Sequence, residues 1–122
     1  MRTGLFIYLA HPDLFMRHRT DEQFNAACRE AADMICQCAK ECGMPIEYNL
    51  LGLDYRLKGK GRGYPSAPFW SYVRRWDNEV ILGVDAHDPA MLADTGLWER
   101  GRADVAAMGY RFYPHPEDLV NK

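Results

Sequence analysis

The chain has 122 residues, of which 48% are hydrophobic and 26% charged, values that fit one globular domain over residues 1–122. Its net charge of −2 offers no basic stripe for nucleic acid, and its apolar stretches are too short to span a bilayer, so neither partner is expected.

The first segment, Gly4 to Ala10 (GLFIYLA), is a continuous apolar run and reads as a strand buried on both faces. It ends at His11-Pro12-Asp13 rather than at a small-residue cleavage site, so it is not read as a signal peptide and the default address is cytoplasmic. From Thr20 the period changes. Phe24, Ala27, Cys28, Ala31, Ile35, Cys38, Ala39 and Cys42 recur at three- and four-residue steps, the mark of one helix face. Thr20 or Asp21 is placed to cap this helix and Gly43 to end it. Its four cysteines (Cys28, Cys36, Cys38, Cys42) lack zinc-knuckle spacing and read as reduced, small core residues.

Ile46 to Leu51 is the second strand, with Glu47 and Asn49 on one face and Ile46, Tyr48 and Leu50 on the other. The stretch GLDYRLKGKGRGYPSAP (52–68) has no period and reads as a long loop. A helix is expected from Ser66 to Trp76, and a third buried strand from Val80 to Val84, running into Asp85-Ala86-His87. A helical region follows from Asp88 or Pro89, interrupted near Thr95-Gly96, through Met108 to a cap at Gly109. Tyr110 to Tyr113 is a short fourth strand, and Pro114 and Pro116 break the chain into a tail. Strands alternating with amphipathic helices imply an α/β fold with a parallel sheet. A closed barrel of such units takes about 250 residues, so this chain is expected to form roughly half of one, with open sheet edges that invite pairing with a second copy as a homo-oligomer.

In parallel α/β folds, functional groups gather at the C-terminal ends of strands. Three expected strands end in polar residues: His11 and Asp13, Glu47 and Asn49, Asp85 and His87. Imidazoles with carboxylates suit zinc, manganese or iron, which activate water and polarise phosphoryl oxygens. Each element also has a plainer reading. His11-Pro12-Asp13 fits a turn in which Asp13 caps an amide, Asp85 or Asp88 fits a helix cap, and Glu47 fits a solvent-facing strand position. His18 and His115 read as surface residues. The four cations from Arg56 to Arg62 suit either a solvated loop or an anion site near a helix start.

Taken together, YLAHPDLFM, IEYNLLGL, GRGYPSAPFW and VILGVDAHDP, in this order, resemble the C-terminal half of histidinol-phosphatase-like proteins of the PHP (polymerase and histidinol phosphatase) superfamily. The resemblance runs from about Gly4 to Phe112. It implies the parallel βαβαβα half of a distorted (βα)7 TIM-like barrel, not closed by this chain alone. It also implies a small phosphorylated substrate, a phosphomonoester such as histidinol phosphate or else another substrate such as a nucleotide, hydrolysed with two or three divalent metals. Carried over, His11, Asp85 and His87 are metal ligands, Asp85 and His87 carry the chemistry, and Glu47 and Asp13 brace the ligands. Arg62, with Arg56 behind it, and Asn49 face the substrate. The family's opening His-x-His motif has no counterpart here. The expectation is therefore an incomplete site, with little activity from this chain alone, or a non-catalytic half-barrel that joins a partner.

Overall fold

The computed structural model describes residues 1–115 and 117–120. Three strands, β1 (Ile46–Asn49), β2 (Val80–Gly83) and β3 (Phe112–Tyr113), form a parallel sheet in the order β1-β2-β3. Five helices surround it: α1 (Ala26–Glu41), α2 (Leu50–Leu57), α3 (Ala67–Val73), α4 (Thr95–Ala107) and α5 (Glu117–Val120). The expected α/β architecture with a parallel, open sheet is present. Every residue of β1 and β2 is buried, as the apolar composition of Val80–Gly83 implies.

The face of β1 that carries Ile46 and Tyr48 packs with Val80 and Leu82 of β2 against Phe69, Trp70 and Val73 of α3 and Leu97 and Val105 of α4. Trp70 sits at the centre. The rings of Tyr48, Phe69 and Tyr110 meet it edge-on at 5.3–5.5 Å, a favoured geometry for aromatic quadrupoles. α1 lays Ala32, Cys36 and Ala39 into the same core, and all four cysteines are free, as their spacing suggested.

Four expectations need correction. The run Gly4–Ala10 is not a buried strand. Only Leu9 forms a parallel bridge, to Ile46, while Leu5, Phe6 and Ile7 are 80%, 65% and 54% exposed. A doubly buried strand needs neighbours on both sides, and the described residues supply backbone only along the Pro45–Glu47 side. Second, α1 is capped by Asn25, whose side chain accepts from the Cys28 amide, while Thr20 heads a separate 3-10 turn at Asp21–Gln23. Third, the stretch 52–68 is not one long loop. α2 follows β1 directly, because Asn49 Oδ1 accepts from the Gly52 amide and caps the helix in place. Fourth, the tail forms α5; Pro116 lies outside the described residues. Bounds and faces also shift: β1 ends at Asn49 rather than Leu51, β2 at Gly83 rather than Val84, and α1 buries Cys28, Ala32, Cys36 and Ala39 rather than the face through Ala27, Ala31, Ile35 and Cys38. Ser66 caps α3, which continues as a 3-10 turn to Trp76. Asp94 separates the 3-10 turn Pro89–Ala93 from α4, and Gly109 follows α4 at φ +80.

Candidate functional site

The C-terminal ends of β1 and β2, with the His11 turn beside them, form a polar rim. Glu47 is its centre. It lies within β1, 2% exposed, and its Oε2 accepts from the His11 amide at 2.8 Å and from Asn49 Nδ2 at 3.1 Å. The carboxylate leans across β2 above Gly83, where a Cβ would stand 1.9 Å from Oε1. Glycine at position 83 is thus what lets the carboxylate cross the neighbouring strand. Burial raises the Glu47 carboxyl above its ordinary range. The hydrogen bonds from His11 and Asn49 and the His11 charge oppose that rise, and the charge of Asp85 adds to it. Such a group keeps its proton to a higher pH than an exposed glutamate does.

His11 and Asp85 flank this carboxyl on backbones of positive φ, +27 and +48. His11 also meets Tyr64 edge-on at 6.3 Å. His87 is exposed, its Nδ1 2.7 Å from the Asp85 carbonyl oxygen and 4.0 Å from the Asp85 carboxylate. Tyr8, unmarked in the sequence reading, joins the same field: burial, then the charges of Glu47 and Asp85, raise its phenol. Gly83 was missed as well, although a glycine inside an apolar strand is itself a signal of close approach.

The other candidates lie elsewhere or are engaged locally. Asp13 is fully enclosed; its Oδ2 accepts from the Ser66 amide at 2.7 Å and from Trp70 Nε1 at 3.0 Å, tying the His11 turn to the start of α3. Burial pushes its carboxyl up to about 6 against those hydrogen bonds. The plainer reading of Asp13, capping an amide, is thus present. Asn49 uses its oxygen on Gly52 and its amide nitrogen on Glu47. Arg56 donates to Pro65 O and to the Tyr48 hydroxyl, on the face of β1 opposite Glu47. Arg62 stacks over the Tyr55 ring at 3.9 Å. Neither arginine is brought to the His11–Glu47–Asp85 set by any of these contacts.

Imidazole and carboxylate donors are the right types for a divalent metal. Among the described residues, however, no three His, Cys, Asp or Glu side chains come together as a metal-holding group. The donors present do not by themselves make a cage. No helix is long and apolar enough to cross a membrane. Comparison of the chain with protein-family models, with curated proteins and with solved structures found no match.

Proposed function

We propose that the chain contributes one side of a phosphoesterase site of the PHP type, a half-barrel whose rim is completed by metal-binding donors beyond His11, Asp85 and His87. The observation that carries this reading is the buried Glu47 carboxyl of β1, hydrogen-bonded to the His11 amide and raised in pKa by burial and by the charge of Asp85. A buried carboxyl with a raised pKa at a strand-end rim is the environment in which proton transfer and metal-ligand bracing occur. On this reading His11, Asp85 and His87 are ligands for zinc, manganese or iron, Glu47 positions His11 and the bound water, and the substrate is a small phosphomonoester such as histidinol phosphate. A chain supplying only these donors turns over substrate slowly or not at all.

Zinc titration against a chromophoric chelator tests the ligand assignment. The wild-type chain is expected to compete for the metal. The Asp85→Ala/His87→Ala variant is expected to bind at least about tenfold more weakly, the loss of one or more charge-assisted contacts. Equal binding by the two chains refutes the assignment.

The exposed Leu5, Phe6 and Ile7, beside an edge that among the described residues pairs through Leu9 alone, favour a second reading, a half-barrel used for assembly without catalysis. Light scattering that finds a monomer at all concentrations excludes self-assembly as that role.

A further inference from the structure

A cavity of about 230 Å³ lies where the end of α2, the loop after it and the segment before α1 meet. Arg19, Arg56 and Arg62 line it, with Asp21 as the one carboxylate, and none of His11, Glu47, Asp85 or His87 takes part. We propose that this cavity binds the phosphate group of a small phosphorylated ligand, at a site separate from the strand-end rim.

Charge is the first argument. Arg19, Arg56 and Arg62 line the cavity, with Asp21 as its one lining carboxylate, so cations outnumber anions along its wall. Arg19 and Arg62 form no ion pair among the described residues, and Arg56 approaches its carboxylate, Asp104, only to 4.0 Å. Guanidinium offers planar, paired N–H donors that match phosphate oxygens, and clusters of it are the usual means of holding a phosphoryl group.

Order is the second argument, because a flexible cluster loses much of its affinity to the entropy of fixing long side chains. Here neutral partners hold each cation in place, and Arg19 and Arg62 have no carboxylate partner among the described residues. Arg19 Nη1 donates to Gln23 O and to Cys28 Sγ, both at 3.2 Å. Arg56 is held by Pro65 O at 2.9 Å and the Tyr48 hydroxyl at 3.3 Å. Arg62 rests on the face of Tyr55. The walls are also fastened together. The His18 amide donates to Arg62 O at 2.8 Å, and Gly63, at φ +89, fits so closely that a Cβ would stand 1.9 Å from Met16 O. That contact sets the backbone of Arg19 against the backbone of Arg62.

This site stands or falls independently of the phosphoesterase reading. Inorganic phosphate titrated into the metal-depleted chain, followed by calorimetry and by backbone amide NMR, tests it. Saturable binding is expected, with shifts at the Gly61, Gly63 and Tyr64 amides. Arg62→Gln and Arg19→Gln are each expected to weaken it about tenfold or more, while Asp85→Ala leaves it unchanged. The absence of saturable binding overturns the proposal. So does binding that shifts the His11 and Asp85 amides instead, or that survives Arg62→Gln and is lost in Asp85→Ala. The shift pattern of the wild-type chain decides the matter even where an arginine variant fails to fold.

Discussion

An alanine at position 83 would place its methyl carbon 1.9 Å from Glu47 Oε1, 2.7 Å from Cδ and 2.9 Å from Cγ. The three nearest atoms all belong to Glu47, so the overlap is relieved only if that side chain swings away. Swinging it breaks the bonds from the His11 amide and Asn49 Nδ2, in a site without room to rebuild them. Leaving a buried donor without its acceptor costs about 1–3 kcal/mol and overpacking about 1–3 kcal/mol, with partial relaxation expected. Gly83→Ala should therefore destabilise the fold by about 2–4 kcal/mol, read by urea or thermal unfolding. Glu47→Ala should cost a similar amount, because it leaves the same two donors without their acceptor. In the double variant the added methyl meets no carboxylate, and alanine replaces glycine in a strand at little cost. The two changes should then fall short of additivity by about 2 kcal/mol in a double-mutant cycle. If Gly83→Ala shifts stability by less than about 0.5 kcal/mol, or the cycle closes additively, the close approach of Glu47 to β2 is wrong.

Asp13 gives a pH prediction with a definite sign. Its folded-state value of about 6 lies above the ordinary 3.8, so its contribution is fully present below pH 3.8 and is lost as pH rises to about 6. The amount lost is at most roughly 3 kcal/mol for a group this enclosed. Asp13→Asn keeps an acceptor for Ser66 and Trp70 but cannot ionise; its stability relative to wild type should climb across that window, and parallel pH curves would contradict the assignment. Asn25→Ala removes the cap on the Cys28 amide and should cost about 1 kcal/mol in thermal unfolding; no change would mean the helix start is set by packing instead.

What could be read from sequence was whatever depends on local pattern. α1 announced itself through its three- and four-residue apolar steps, and β2 through an unbroken apolar run between turn signals. The same logic overread Gly4–Ala10, because an apolar run shows what a segment can bury and not whether a neighbour arrives to bury it. α2 was hidden by glycine and mixed charge over barely two turns; the Asn49 side chain that starts it was visible, but its use as a cap was not. At the rim, the expected strand ends pointed to His11, Glu47 and Asp85, although His11 follows an isolated bridge at Leu9 rather than a strand and Glu47 lies inside β1. The orientations of Arg56 and Arg62 were not legible, since they follow from Tyr48, Tyr55 and Pro65, residues whose own placement comes from tertiary packing.

The backbones of His11 and Asp85 are bent into the left-handed region, where any side chain beyond hydrogen sits about 1 kcal/mol or more above glycine. Sequence change that rewards heat resistance alone would therefore favour glycine at these two places. It would erase an imidazole and a carboxylate from the rim while leaving the sheet intact. Two codons thus separate a more heat-resistant chain from one that keeps the His11 imidazole and the Asp85 carboxylate beside Glu47.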